Sequence, residues 1–380
     1  MPKIVISCAP RVSPYVLKEL KALGYQGKAI NKFGVVMMGS MRDAMKLNLY
    51  LRTASKVLLE VKTFKAASPE ELYKNLINIP WERTIPSNGY LRIESFVKND
   101  KILDTRFANL KTKDAIVDRI MQQKGRRPNS GPNVDRTVVF LHWINTEVGI
   151  FINTSGDTIS KHGYRKIPFK APMMESLAAA TILASGWNTA SHFINPMCGS
   201  GTLAIEAALI ACHIPPGTFR KNFGFMHVRS YDEFAWLKLV KESASTIRKK
   251  LDFKIIATDI NPKAVEAAKR NAEAAGVSEL IEFKVCDYRK TYIPKGEGVI
   301  FFNPEYGNRL GEEKELEEVY RSIGDFFKQK CTGYMGYVFT GNINLAKRIG
   351  LKTKRRVEFF NAKIDSRLLE YELYDGTKKG

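Results

Sequence analysis

The sequence predicts an α+β first half followed by an α/β second half built on a mainly parallel, doubly wound sheet. Three observations point there. From residue 175 onward, short apolar runs alternate with helical stretches, the pattern of consecutive βα units. Polar residues (Asn195, Asp259, Asp287, Asn303) stand at or just beyond the ends of those runs, where such sheets bind their ligands. Charge is also uneven along the chain. The net excess is +21, from 60 Lys+Arg against 39 Asp+Glu. Residues 1–150 carry 25 basic and 13 acidic residues, whereas residues 251–350 carry 15 of each. An enzyme of small metabolites has no need of such an excess; a binder of polyanions has.

The elements follow in order. Residues 3–8 read as a strand, and Ser13-Pro14 opens a helix that Gly24 closes. Residues 34–39 form a second strand, and Ser40 with Asp43 begins another helix as a capping box. Residues 1–50 thus read as strand–helix–strand–helix. Residues 55–63 are extended, Ser68-Pro69-Glu70-Glu71 caps a helix to about 77, and 90–97 alternate as a strand. The stretch 104–123 is helical, with Phe107, Leu110, Ile116, Ile120 and Met121 on one side and Gly125 at its end. A basic loop (124–133) leads to strands near 136–143 and 147–153.

After a linker at 156–172 come a helix (175–185), a strand (191–195), the turn Pro196-Met197-Cys198-Gly199-Ser200-Gly201-Thr202 and a helix (202–212). Strand 254–258 ends at Asp259, with a helix over 262–275. Strand 281–285 ends near Asp287, and strand 297–302 ends at Asn303. A helix (312–329), a strand (333–340), a helix (343–349) and strands 355–362 and 367–374 finish the chain. At 380 residues, two or three domains are expected. No apolar run has the length of a membrane helix. The N-terminus turns polar too soon for a signal peptide, and the five scattered cysteines include no CxxC pair, which fits a reducing cytoplasm.

The chemistry sits at the strand ends. The glycines of the 196–202 turn permit close approach of backbone to a ligand, and the helix N-terminus behind them offers free N–H groups. Asp259 is placed to accept both hydroxyls of a ribose, and Asp287 to accept an adenine amino group. Gly199-x-Gly201-x-x-Ala204 also matches the dinucleotide pattern, but there the acid lies ~20 residues on, and here it lies nearly sixty on. In Asn303-Pro304-Glu305-Tyr306-Gly307, an amide oxygen and a proline-fixed carbonyl together accept both protons of a planar NH₂, leaving its lone pair as nucleophile. The aromatic that follows suits stacking on a base, worth ~1–3 kcal/mol. Asp259, Asp287 and Asn303 are expected to face one continuous crevice beside the glycine turn.

These residues resemble the THUMP-domain RNA methyltransferases, specifically the guanine-N2 type that modifies large-subunit (23S) ribosomal RNA, with the tRNA guanine-N2 enzymes related. Beyond the strand ends, the resemblance rests on Cys8-Ala9-Pro10, on residues 107–118 (Phe107 through Asp118) and on Gly125-Arg126-Arg127-Pro128. It continues in Asn153-Thr154-Ser155-Gly156, His162-Gly163-Tyr164-Arg165 and Ala171-Pro172-Met173-Met174-Glu175. It implies a class I, Rossmann-like methyltransferase sheet behind an α+β ferredoxin-like and THUMP module. The implied domains are a ferredoxin-like part at 1–52, a THUMP RNA-binding domain at 53–160 and the methyltransferase domain at 161–380.

The resemblance also implies S-adenosyl-L-methionine as methyl donor. Asn195, Pro196, Cys198, Gly199, Gly201 and Thr202 would bind it, Gly199 and Gly201 lining its methionine and ribose portion, with Asp259 holding the ribose, Asp287 the adenine amine, and Pro172 and Glu175 closing the pocket. Asn303, Pro304 and Tyr306 would position a flipped-out base for in-line transfer without a metal. RNA would be held through Lys111, Lys113, Arg119, Lys124, Arg126 and Arg127. A monomer in the cytoplasm is expected, with no membrane or metal partner. The chain departs from the family pattern at three positions: Asn195 stands where Asp is usual, Glu305 where a second proline is usual, and Met174 where a basic residue is common. Three alternatives stay open at this point: a tRNA guanine-N2 enzyme, an adenine-N6 methyltransferase, and a non-catalytic RNA-binding or ribosome-assembly factor with a degenerate methylase fold. A nicotinamide oxidoreductase fits least.

Overall fold

The computed structural model of the chain describes residues 1–99, 104–170, 172–307 and 312–374; Ala171 of the linker motif lies outside them. The described residues divide into two compact units. One comprises Met1–Cys8, Val16–Ile159 and Arg220–Glu242, the other Ala9–Tyr15, Ser160–Phe219 and Ser243–Gly380. The chain therefore passes between the units several times, and a segment from the sequence of the second half belongs to the first unit.

The first unit is built on one eight-stranded sheet. In chain order its elements are β1 (Lys3–Cys8), α1 (Ser13–Ala22, from Val16 onward), β2 (Lys28–Asn31), β3 (Gly34–Met38), α2 (Met41–Tyr50), β4 (Ala54–Lys65), α3 (Pro69–Ile77), β5 (Tyr90–Lys98), α4 (Thr105–Lys124), β6 (Asn129–Ser130), β7 (Thr137–Ile144) and β8 (Glu147–Asn153). The strand order is β2-β3-β1-β4-β8-β7-β5-β6. The strand β2 has no counterpart in the sequence reading of residues 1–50. All four of its residues are exposed, so it carries no burial alternation to be read. The Ser40/Asp43 capping box of α2 forms as expected. The core gathers Leu72, Leu76, Trp81, Ile116, Ile120 and Trp143 from helices and sheet.

Helix α4 corrects the sequence reading in one respect. Its buried residues are Ala108, Thr112, Ala115, Ile116, Val117 and Ile120, while Phe107, Leu110 and Met121 are exposed. Small residues at 108, 112 and 115 form the side that packs inward. Ile116, Val117 and Ile120 pack into the core beside them, so the buried face mixes small residues with aliphatic ones.

The motif Asn153-Thr154-Ser155-Gly156 proves to be a buried turn. The Asn153 amide donates to the Gly156 carbonyl at 2.8 Å, Thr154 donates to the Val57 carbonyl at 2.6 Å, and Ser155 donates to Asn48 Oδ1 at 2.6 Å. Within the same unit Phe223, Phe225 and Trp236 form an aromatic cluster, and Arg220 donates to the Thr158 carbonyl at 2.8 Å.

The second unit holds α5 (Glu175–Ser185), β9 (His192–Pro196) and α6 (Thr202–Ala211). After α7 (Glu233–Ser245), most of which lies in the first unit, come β10 (Ile255–Asp259), α8 (Pro262–Ala274), β11 (Ile281–Val285), β12 (Gly298–Phe302), α9 (Glu312–Lys330), β13 (Tyr334–Thr340), α10 (Ile343–Lys347), β14 (Arg355–Asn361) and β15 (Ile364–Glu372). The strand order is β11-β10-β9-β12-β13-β15-β14. The first five strands are parallel, and β15 runs antiparallel between β13 and β14. Strand order reverses at β9, with β10 on one side and β12 on the other. That is the switch point outside which open α/β sheets bind ligands. Stacked rings of Phe193, Phe301 and Tyr337 hold β9, β12 and β13 together beneath it.

Candidate active site

The turn after β9 is set by local backbone. Met197, Gly199 and Gly201 all take positive φ, at 55°, 54° and 82°. Gly201 caps α6, and a Cβ there would lie 2.8 Å from Ala268 Cβ on α8. A Cβ on Gly199 would meet nothing within 4 Å among the described residues. The glycines therefore do different things: Gly201 lets α6 approach α8, and Gly199 leaves open space in front of the turn.

Asp259 ends β10 and ties the turn to the next strand. Its Oδ2 accepts the Gly199 N–H at 3.0 Å and its Oδ1 the Asn261 N–H at 2.9 Å. Asp287, beyond β11, caps a single turn of 3₁₀ helix and accepts three donors from Arg289: the backbone N–H at 2.9 Å, Nε at 2.9 Å and Nη2 at 2.5 Å. These hydrogen bonds hold the Asp287 carboxyl below its usual pKa. Asp259 and Asp287 line one cavity of about 290 Å³ with Met197, Ile260, Tyr288 and Arg289. Ile260 is 70% exposed, an apolar side chain left open beside two carboxylates. Sequence reasoning missed it, although an apolar residue directly after a strand-end acid was the available signal.

Asn195 and Glu175 carry a different property. The Asn195 amide donates to the Phe301 carbonyl on β12 at 2.9 Å, but its Oδ1 is buried with no hydrogen-bond partner among the described residues. Glu175, in the first turn of α5, is buried. Its Oε2 likewise lacks a hydrogen bond, although Arg165 stands 3.6 Å away as an ion pair. Burial pushes the Glu175 carboxyl up against the pull of Arg165. Arg165 also donates to the Met173 carbonyl at 2.5 Å and to Thr202 Oγ1 at 3.0 Å, so it links the linker to the start of α6. His162 and Tyr164 both meet Glu206 Oε1, at 2.7 and 2.8 Å. The His-Gly-Tyr-Arg motif is thus a buried anchor of the linker. Of the other expected residues, Pro196 and Cys198 are buried and Pro172 is half-buried.

Asn271 is a second residue the sequence did not reveal. From α8 its amide donates to the carbonyls of Ile167 and Ser200 at 2.9 and 3.1 Å, and its Oδ1 accepts the N–H groups of Lys166 and Ile167 at 2.8 and 2.9 Å. All four hydrogen bonds of the amide are made, joining linker, turn and helix. Asn271→Ala is expected to lower unfolding stability by about 2–4 kcal/mol through several unpaired backbone groups, measured by chemical denaturation. A loss under 0.5 kcal/mol would show that water replaces the amide.

Beyond β12, Asn303 Oδ1 accepts the Tyr306 hydroxyl at 2.9 Å. The Tyr306 carbonyl accepts Asn342 Nδ2 at 3.1 Å, and its ring lies against Phe339, so the side chain faces inward rather than standing free to stack. Burial pushes the Tyr306 hydroxyl pKa up, keeping it a donor. Pro304 is buried. The Asn303–Tyr306 cluster is not part of the lining of the Asp259–Asp287 cavity; it follows β12, the strand that pairs with β9 on the side opposite β10.

The expected RNA contacts, in the first unit, divide in two. Arg119 makes a two-point contact with Glu82 at 3.1 and 3.2 Å, Lys113 pairs with Asp114 at 3.1 Å, and Lys111 lies over the Phe107 ring. Lys124, Arg126 and Arg127 are exposed around the left-handed Gly125 that ends α4.

Residues 162–370 match the family model described as RMKL-like, methyltransferase domain. Residues 3–58 match an RlmL ferredoxin-like domain and residues 66–153 a THUMP domain. A protein of Syntrophotalea carbinolica named ribosomal RNA large subunit methyltransferase K/L is 34% identical over 376 residues, covering 96% of this chain and 53% of that protein. The chain spans about half the length of the curated relatives it matches. Among solved structures, SMU.472 complexed with SAH superposes with a TM-score of 0.88 at 27% identity, covering 100% of this chain and 99% of that one. A possible methylase from Clostridium difficile 630 superposes with a TM-score of 0.90 at 28% identity, covering all of both chains.

Proposed function

The chain belongs to the family of RMKL-like methyltransferase domains, with a Rossmann-like, class I sheet behind ferredoxin-like and THUMP modules; from that premise we propose that it transfers a methyl group from S-adenosylmethionine to the exocyclic N2 amine of a guanine in large-subunit (23S) rRNA. The observation that carries the reading is the single cavity shared by two strand-end carboxylates and an exposed isoleucine, next to an open glycine turn.

The residues present suit the donor. A carboxylate has about four acceptor sites. Asp259 uses two on backbone N–H groups, which leaves two for ribose hydroxyls. Asp287 uses three on Arg289, which leaves one for an adenine amine. Ile260 offers an apolar face for the purine ring. Asn195 Oδ1 and Glu175 Oε2, both buried acceptors without hydrogen bonds among the described residues, suit the cationic amino group of the methionine portion. When bound, the sulfonium supplies an electrophilic methyl group.

The chain's own work is alignment. Tyr306 fixes the Asn303 amide through Oδ1, and the second lone pair of that oxygen, with the Pro304 carbonyl, holds the two protons of the target NH₂. The nitrogen lone pair is then directed at the methyl carbon. Lys124, Arg126 and Arg127 supply the phosphate contacts, while Arg119 and Lys113, each paired with a carboxylate, contribute less. RNA is the proposed partner, the cytoplasm the proposed location and the monomer the proposed state.

Titration calorimetry with S-adenosylhomocysteine, together with mass spectrometry of digested rRNA, tests this. The intact chain is expected to bind one equivalent and to leave N2-methylguanosine in an unmodified 23S transcript. Asp259→Ala is expected to weaken that binding by about 10–100-fold, the worth of hydrogen bonds to a charged group. RNA binding without S-adenosylhomocysteine binding would overturn the reading in favour of a non-catalytic factor.

A further inference from the structure

We propose that Glu305, together with Lys170, reads the Watson–Crick edge of the target base and makes the site selective for guanine; this inference rests on the methyl-transfer reading above. Glu305 follows Asn303 and Pro304 directly in the chain, which places its backbone beside the two acceptors proposed for the base amine. Glu305 Oε1 is 3.0 Å from Lys170 Nζ. The two side chains are 66% and 72% exposed, and an ion pair that open contributes little to stability. Stability therefore does not account for it.

The surroundings fix where the pair stands. The Glu305 carbonyl accepts the Tyr320 hydroxyl at 3.2 Å, and that hydroxyl is shared with Thr340 at 2.8 Å. The carboxylate thus projects from an anchored backbone. Lys170 holds a positive φ of 36°, a conformation uncommon for a residue with a side chain. Such strain persists only where its surroundings enforce it, and it concentrates at working sites.

The two purines differ in the groups this pair would meet. Guanine presents, in order, the N2 amine, the N1–H and O6: donor, donor, acceptor. Adenine presents its amine and then N1, which is a bare acceptor. Asn303 and Pro304 offer acceptors for the amine. Glu305, when ionised, offers only acceptors, and Lys170 only donors. The site therefore reads acceptor, acceptor, donor, the complement of guanine in the same order. A carboxylate against N1–H forms a charge-assisted hydrogen bond. Against the adenine N1 it sets lone pair against lone pair and leaves a polar group unpaired, the arrangement that rejects a substrate most strongly. A proline at 305 would carry no such acceptor, so the departure from the family pattern gains a chemical sense.

The test uses the 380-residue chain and a 23S transcript in which the modified nucleotide has first been mapped. That nucleotide is then replaced, by splinted ligation, with 2-aminopurine, which keeps the N2 amine but has a bare N1 and no O6. The wild type is expected to favour guanine over 2-aminopurine in kcat/KM. E305Q is expected to narrow that preference by at least about tenfold, because its amide N–H can donate to the bare N1. K170A is expected to narrow it several-fold by slowing guanine alone. A merely structural role for Glu305 would slow both substrates equally. Equal slowing in E305Q, or a wild type without preference, overturns the proposal. Absence of N2-methylguanosine from the wild-type reaction, by contrast, brings down the methyl-transfer reading itself.

Discussion

Asn303→Ala is expected to lower methyl transfer by about 10²–10³-fold while the protein remains folded. The side chain is half-buried and makes one hydrogen bond, from Tyr306, among the described residues. Losing that bond destabilises the fold by only about 0.5–1.5 kcal/mol. The place proposed for it in the reaction is larger. With one of the two acceptors gone, the amine rotates and its lone pair no longer points at the methyl carbon, and misplacement on this scale lowers rates by about a hundredfold or more. Labelled transfer to unmodified rRNA measures the first quantity and thermal melting the second. Near-normal turnover of a folded variant would remove Asn303 from the mechanism. On the proposed mechanism Tyr306, whose hydroxyl donates to Asn303 Oδ1, acts through Asn303 rather than on the base.

Gly201→Ala is expected to be the most destabilising substitution in the turn, by about 2–5 kcal/mol. Two effects add. A side chain at φ 82° is disfavoured by roughly 1–2 kcal/mol. The new methyl would also sit 2.8 Å from Ala268 Cβ and 3.4 Å from Ile205 Cδ1, and forcing extra volume into such a core adds about 1–3 kcal/mol. Gly199→Ala is the control. It shares a positive φ but opens on free space, so it loses only about 1 kcal/mol and acts mainly on donor binding. Chemical denaturation of the two variants side by side decides the matter; equal stabilities would mean that α6 and α8 move apart without penalty.

The sequence by itself determined the alternation of strands and helices in the second half, the helix starts at Ser13, Ser40 and Ser68, and the polar residues at the strand ends. Those signals are local: caps, turn glycines and apolar periods act over a few residues, and neighbouring strands bring their ends level whatever the rest of the chain does. Tertiary structure alone decided which face of α4 is buried, because both faces carry apolar residues and only the partner surface selects Ala108, Thr112 and Ala115 with Ile116, Val117 and Ile120 over Phe107, Leu110 and Met121. It alone decided that Arg119 is neutralised by Glu82, that Arg289 occupies Asp287, and that Asn271 clamps the linker to the turn, since each pairs groups more than thirty residues apart or turns on a rotamer. The packing of 220–242 with the first unit was equally invisible, because contact between distant segments is set by the shape and satisfied hydrogen bonds of the assembled surfaces, which no short stretch of sequence contains.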